Sequence, residues 1–229
     1  MFNTPVSAPR TLRVLAHLLG YPDAPLRPFL PELSAALHAE RALSPPRLAE
    51  LDALIESLAQ AAPLAAEAAY VELFDRGRST SLHLFEHVHG DSRDRGPAMI
   101  DLAQTYEKAG LFLAPEELPD YLPVVLEFVS TQPLREARAF LAEMAHIFNA
   151  IFAALNKRES LYASVLGALL ELAGEQAQPV AVPADEAIDE AWAEPVVFDG
   201  CSTQGQAKPG QPQPIQIVRK PAAGKGAQA

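Results

Sequence analysis

The stretch APEELPDYLPVVLEFVS, residues 114–130, carries the pattern from which the fold is predicted. In its second half, apolar residues recur every three or four positions, the spacing that places side chains on one face of an α-helix: Leu122, Val125, Leu126 and Val129. The same spacing recurs along most of the chain, and no convincing pair of alternating strand patterns interrupts it. The sequence therefore predicts an all-α fold, a single helical bundle of about eight or nine helices. The expected helices lie near residues 9–19, 29–42, 46–60, 63–75, 80–89, 97–109, 120–130, 134–155 and 158–173.

Asp120 lies between two prolines at the expected start of the helix in this stretch. Its carboxylate could accept a backbone N–H near Pro123 and Val124 and complement the positive end of the helix dipole. A second interpretation stays open, in which Glu116, Glu117 and Asp120, followed by Tyr121, form an acidic and aromatic lip that receives a basic peptide.

The composition changes near the C-terminal end of the chain. Of the 54 residues from 176 to 229, 31 are Ala, Gln, Pro or Gly, and such a segment cannot bury enough apolar surface to offset the entropy of ordering it. We therefore expect an all-helical domain over residues 1–175 and a disordered, flexible tail over residues 176–229. A short acidic helix is expected inside the tail, around residues 184–192.

The charge and the cysteine content exclude several classes of function. The formal net charge is −11 and the isoelectric point is near 5.0, which argues against general affinity for nucleic acid or an anionic membrane and favours a basic peptide or protein as partner. Cys201 is the only cysteine, so we expect no intrachain disulfide and a reducing, cytoplasmic location. The N-terminal residues do not resemble an export signal, and no apolar run approaches the roughly 20 residues of a membrane span.

The stretch SLHLFEHVHGDSRDRG, residues 81–96, contains the H-x-x-E-H spacing of one class of zinc peptidase. On a helix, His83 and His87 would face the same way with Glu86 beside them, and His89 would lie on the far side. The pattern has only three fixed positions, and those peptidases have mixed α/β architecture, so the zinc interpretation is the weaker one. The alternatives are histidines that hydrogen-bond neighbouring helices or face water, and histidines that belong to a recognition surface. No phosphate-binding loop, dinucleotide fingerprint or serine nucleophile motif is present, so no catalytic residue and no metal site is predicted.

Two stretches resemble a known family, the dedicated molybdenum cofactor assembly chaperones of respiratory nitrate reductase, also called the nitrate reductase delta subunit family. They are YVELFDRGRSTSLHLFEHVHGDSRDRGPAMIDLAQTYEKAGL (70–111) and ELPDYLPVVLEF (117–128). The second is similar to the Glu-Pro-x-Asp-His signature of the wider redox-enzyme maturation chaperones, with Tyr121 in the histidine position. The start RVLAHLLGYP (13–22) and the tail segments WAEPVVFDG (192–200) and PIQIV (214–218) are also similar, so the resemblance covers nearly the whole chain.

The resemblance implies a cytoplasmic, all-helical chaperone that is not an enzyme and carries no cofactor of its own. Such a protein would bind the apo form of the catalytic α subunit of nitrate reductase, notably a basic, amphipathic N-terminal segment. It would allow iron–sulfur and molybdenum cofactors to be inserted and would prevent premature docking to the membrane subunit. Molybdenum cofactor biosynthesis proteins are further candidate partners, whereas nucleic acid and direct membrane insertion are not expected.

The expected binding mode is a client helix that lies in an apolar groove rimmed by acids. Three groups of residues are predicted to form this site: apolar and aromatic lining from Tyr70, Phe74, Phe85, Tyr121 and Leu126; acids from Asp75, Glu86, Glu117 and Asp120; and a polar surface from His83 and His87. Two other functions remain as alternatives, a zinc-dependent hydrolase that uses His83, Glu86 and His87, and a helical scaffold that only self-assembles.

Overall fold

The structure, a computed structural model, describes residues 8–90 and 92–180 of the chain. In these two ranges it contains ten α-helices and no β-sheet, which confirms the all-α prediction with one helix more than expected. The helices are α1 Pro9–Leu19, α2 Leu30–Glu40, α3 Pro45–Gln60, α4 Pro63–Phe74, α5 Leu84–Val88, α6 Arg95–Lys108, α7 Leu122–Thr131, α8 Leu134–Glu143, α9 Ala145–Lys157 and α10 Ala163–Ala173. Most of the predicted tail, including the acidic helix expected near 184–192, lies outside the described residues, and the division at residue 175 stays a prediction.

The core forms around one helix pair and one group of four helices. Helix α7 packs along α1, and α10 packs against α9, α8 and α3. Nine of the eleven residues of α10 are buried, so α10 is the central helix of its group. The apolar face that periodicity predicts for α7 is completely buried, because Leu122, Val125, Leu126 and Val129 are each 0% exposed.

Leu126 is therefore a core residue, and its prediction as part of a client groove is wrong. Its place in the buried face of α7, between Leu122 and Val129, leaves it no surface to offer to a partner. A periodicity that shows which face of a helix is apolar does not show whether the bundle or a partner covers that face.

Two predicted helices differ most from the observed ones, since one is divided in two and the other is shorter. The helix expected over 134–155 is two helices, α8 and α9, bent by 60° at Met144. Both of them contact α10, and the bend allows each to keep its own apolar face on that central helix. The helix expected over 80–89 is reduced to the five residues of α5, preceded by a 3₁₀ turn at Arg78–Thr80.

No single helix in the described ranges has both the length and the apolar composition needed to cross a membrane. The bent pair α8 and α9 meets the criterion only when the two helices are counted together.

A leucine pair tests the assignment of Leu126 to the core. We expect Leu126→Ala to lower the free energy of unfolding by about 2–5 kcal/mol, because it removes buried methyl groups from a closely packed helix face. Urea unfolding followed by circular dichroism measures the change. The matched control is Leu64→Ala, at a side chain that is 79% exposed on α4, for which the change should stay within about 0.5 kcal/mol. Equal stability of the two variants would contradict the assignment.

Candidate functional site

An open cleft of about 480 Å³ lies between the end of α1, the end of α4 and the segment that leads into α7. We call it the tyrosine cleft. Its lining residues are Tyr21, Tyr70, Phe74, Asp75, Leu82, His83, Glu116, Glu117, Leu118 and Tyr121. Six of the eleven predicted site residues are among them: Tyr70, Phe74, Asp75, His83, Glu117 and Tyr121.

The floor of the tyrosine cleft is a cluster of aromatic rings. The ring of Tyr70 lies 4.7 Å from that of Phe74 and 5.6 Å from that of Tyr21, and Phe74 lies 5.0 Å from Tyr162. The Tyr70 hydroxyl donates to the Leu19 carbonyl oxygen at 2.7 Å, so it accepts the 3.1 Å hydrogen bond from the Tyr121 hydroxyl. Burial raises the pKa of Tyr70, which keeps this hydroxyl neutral. The floor is therefore a packed apolar surface on which the hydroxyls of Tyr70 and Tyr121 are already paired.

The rim of the tyrosine cleft is acidic. Asp75, Glu116 and Glu117 are exposed, and no lysine or arginine belongs to the lining. Glu117 is held in place because its Oε2 accepts the Ala114 backbone N–H at 3.0 Å. Carboxylates above an apolar floor favour a ligand that combines positive charge with apolar side chains.

Asp120 lies behind the cleft and is fully buried, at 0% exposed. Its Oδ2 accepts the backbone N–H of Phe85 at 3.1 Å, and its Oδ1 accepts Nδ1–H of His83 at 3.4 Å. The guanidinium of Arg95 lies 3.8 Å from Oδ2. Asp120 is thus a structural residue, and the prediction that it faces a client is wrong.

The prediction that Asp120 caps α7 is also wrong. The carboxylate caps α5, since Phe85 is the second residue of that helix, and α7 has no side-chain cap. A physical reason is visible in the sequence of α7, where Pro123 is the second residue and has no N–H to donate. The carboxylate instead accepts the Phe85 N–H, which lies in the first turn of α5 and so has no carbonyl partner within that helix. Helix α5 begins more than thirty residues before Asp120.

Backbone hydrogen bonds tie the same two segments together. The Leu84 N–H donates to the Asp120 carbonyl oxygen at 3.0 Å, and the Leu122 N–H donates to the Leu82 carbonyl oxygen at 2.8 Å. These bonds form an isolated antiparallel bridge between His83 and Tyr121, two residues that line the cleft. Their rings lie 5.3 Å apart and tilt by 33°.

The bridge also removes the geometry that the zinc interpretation requires. His83 is extended, with φ −87° and ψ 105°, so it does not lie one helical turn before His87. Its Nδ1 is engaged by Asp120, while Nε2–H of His87 donates to the Ser81 carbonyl oxygen at 2.8 Å. In the two described ranges, no group of three or more His, Cys, Asp or Glu side chains is placed to hold a metal ion.

The other predicted residues from α5 lie beside the cleft and do not line it. Glu86 pairs with Arg95 at 3.4 Å, and the ring of Phe85 lies 5.4 Å from that of His89. Sequence reasoning missed Tyr21 and Leu118, both 46% exposed in the lining. Tyr21 follows the end of α1, where the signals that could have found it are a large aromatic residue beside the helix-ending Gly20 and its place in the family-like stretch 13–22.

Comparisons with known proteins agree on one family. The sequence model described as "Nitrate reductase delta subunit" matches residues 30–167. The chain is 42% identical over 200 residues to the nitrate reductase molybdenum cofactor assembly chaperone NarJ of Escherichia coli strain K12, covering 86% of this chain and 84% of that relative. It is 41% identical over 163 residues to the "Probable nitrate reductase molybdenum cofactor assembly chaperone NarW" of the same organism, covering 71% and 68%.

A solved structure shares the fold. It is named as a redox enzyme maturation protein from Archaeoglobus fulgidus, and it superposes with a TM-score of 0.52 at 20% identity over 76% of this chain and 99% of that chain. At this identity the likeness supports the helical fold alone.

Replacing the buried carboxylate tests its structural role. We expect Asp120→Asn to lower the free energy of unfolding by about 1–3 kcal/mol. If the amide oxygen accepts the Phe85 N–H, the amide NH₂ takes the place of Oδ1, where it meets Nδ1–H of His83, so two donors face each other. The control is Asp101→Asn, the same change at an exposed position of α6. If chemical unfolding gives both variants the same free energy of unfolding as the original chain, Asp120 does not have this structural role.

The two histidines predict opposite dependences on pH. The hydrogen bond to Asp120, followed by its charge, raises the pKa of His83, so its contribution to stability is complete below pH about 6.5 and is lost as the pH rises through the raised value. Burial lowers the pKa of His87, so this side chain costs stability as the pH falls below about 6.5.

Unfolding curves at several pH values from about 5.5 to 8.5 test this opposition. Relative to the original chain, the free energy of unfolding of His83→Gln should fall most at the acidic end of this range. That of His87→Gln should fall least, or rise, at the acidic end. The same pH trend in both variants would contradict the assigned environments.

Proposed function

Since the chain belongs to the nitrate reductase delta subunit family, whose relatives are named as molybdenum cofactor assembly chaperones, we propose that it binds the apo catalytic α subunit of nitrate reductase through the tyrosine cleft. Membership in the family confirms the resemblance carried by residues 70–111 and 117–128. The relatives are named as assembly chaperones and not as catalysts, so the chain is not an enzyme. The zinc-hydrolase alternative has no support.

The observation that carries the proposal is the combination of an apolar aromatic floor with an acidic rim in one cleft. Three exposed carboxylates, Asp75, Glu116 and Glu117, stand beside packed rings of the floor, where the hydroxyls of Tyr70 and Tyr121 are already paired. The complementary ligand is a basic, amphipathic segment, which is the kind of N-terminal segment that the family resemblance implies for the α subunit.

The two parts of the cleft would contribute differently to binding. Exposed ion pairs add little affinity each, typically below about 1 kcal/mol, but they speed encounter and set orientation. Most of the affinity would come from apolar surface that the client covers, including the half-exposed side chains of Tyr21 and Leu118. A client arginine could in addition place its guanidinium over the ring of Tyr21 while its head meets a carboxylate.

A binding surface of this kind explains how a chaperone acts without turnover. While the N-terminal segment of the α subunit is held, that segment cannot dock elsewhere, and the apoenzyme stays open for insertion of the iron–sulfur and molybdenum cofactors. Binding would take place in the cytoplasm, before the α subunit reaches its membrane partner. Molybdenum cofactor biosynthesis proteins would be additional partners at this stage.

Peptide binding tests the proposal. A peptide from the N-terminus of the α subunit should bind the full chain, with an affinity that falls as the salt concentration rises, because part of the attraction is between exposed charges. Asp75→Asn should weaken binding roughly two- to fivefold, and Asp101→Asn, the same charge change outside the cleft, should not alter it. Isothermal titration calorimetry at two salt concentrations measures both effects. A peptide that does not bind, or binds equally well to both variants at all salt concentrations, would overturn the proposal.

A further inference from the structure

Helix α7 leaves one narrow stripe of its surface uncovered. Among residues 121–131 only Tyr121, Val124, Glu127 and Thr131 are not buried, and every other residue in that range is. Their spacing of three, three and four residues places them on one side of the helix. The stripe begins in the tyrosine cleft, because Tyr121 lines it, and extends for about 15 Å at the 1.5 Å rise of an α-helix.

A second cleft of about 370 Å³ lies along this stripe. We call it the α7 cleft. Val124, Glu127 and Thr131 line it from α7, and the loop Leu111–Leu113 forms another wall. Phe112 in that loop is 80% exposed, the largest exposed fraction among the big apolar side chains of the described ranges.

The two clefts are adjacent parts of one surface. Glu117 lines both of them, and it is fixed by a tight turn in which its N–H donates to the Ala114 carbonyl oxygen at 3.0 Å and its carboxylate accepts the Ala114 N–H. The Tyr106 hydroxyl donates to the Pro119 carbonyl oxygen at 2.8 Å, which anchors the same loop to α6. The wall is therefore formed before any partner arrives, which lowers the entropy cost of binding.

The charges along the α7 cleft differ from those of the tyrosine cleft. Arg13 and His17 of α1 line it together with Glu117 and Glu127, so charged groups of both signs are present, whereas the tyrosine cleft has an acidic rim. A segment that suits the α7 cleft is apolar with few charges, and it does not compete with a strongly basic segment for the same place.

We propose that the α7 cleft binds the continuation of the client polypeptide whose basic segment lies in the tyrosine cleft, with an apolar client side chain against Phe112. This inference rests on the proposed function. The occupant follows from the shared wall at Glu117 and the uninterrupted stripe of α7, which lead a chain directly from one cleft to the other. A helical continuation of about ten residues matches the length of the stripe.

Two peptides and two phenylalanine variants test the inference. The short peptide contains only the basic N-terminal segment of the α subunit, and the long peptide extends it by some 25 residues, enough for a turn and a helix of the required length. Phe112→Ala should weaken binding of the long peptide roughly tenfold and leave the short peptide unaffected. The control is Phe29→Ala, since Phe29 is also exposed, at 54%, and lines neither cleft.

The possible outcomes separate the two proposals. If the original chain binds both peptides and Phe112→Ala changes neither affinity, the continuation does not use the α7 cleft, although the proposed function stands. If neither peptide binds the original chain, both proposals fail. If Phe112→Ala instead converts a dimer into a monomer, seen by sedimentation, without any effect on peptide binding, the occupant is a second copy of the chain and the inference is wrong.

Discussion

The buried carboxylate of Asp120 is the contact on which the geometry of the candidate site depends. It accepts the free N–H at the start of α5, holds His83 and lies beside Arg95 of α6, while its own backbone leads into α7. A fully buried carboxylate is costly unless donors surround it, so each of these partners is required by the others. The result is that His83 and Tyr121, from segments far apart in sequence, form one wall of the tyrosine cleft.

Much of the fold could be predicted from the sequence because helical periodicity is a strong local signal. The buried face of α7 follows from it directly, and the predicted ranges 46–60 and 63–75 lie within one residue of the observed bounds of α3 and α4. The bend at Met144 could not be predicted in this way, since no proline or glycine marks it and the apolar spacing continues through it. On both sides of the bend the helices contact α10, and no local pattern encodes such contacts between distant segments.

The candidate site could be predicted only in part, for a similar reason. Tyr70, Phe74 and Asp75 are predicted because they belong to a stretch that resembles a family, and the structure places them in one cleft, while their contact with a client stays a prediction. The role of Asp120 could not be found, because its N–H partner lies on another helix and a local cap looks equally reasonable. The extended backbone at His83 has the same origin, since only the bridge to Tyr121 removes it from a helix. Long-range pairing of polar groups is thus the information that single-sequence patterns lack.

The division between a packed floor and a charged rim agrees with the proposed function, in which the chain would hold a client and later release it. The paired hydroxyls of Tyr70 and Tyr121 and the packed rings around them give the floor its shape, and the exposed acids would make the proposed attraction sensitive to charge. The most direct measurement is photo-cross-linking in cells that make the α subunit, with a photoreactive residue placed at Leu118 in the tyrosine cleft or, as control, at Leu64 on the exposed side of α4. The account predicts that the probe at position 118 cross-links to the N-terminal segment of the α subunit and that the probe at position 64 does not. Cross-links from position 64 alone, or cross-links from position 118 only to other parts of the α subunit, would contradict it.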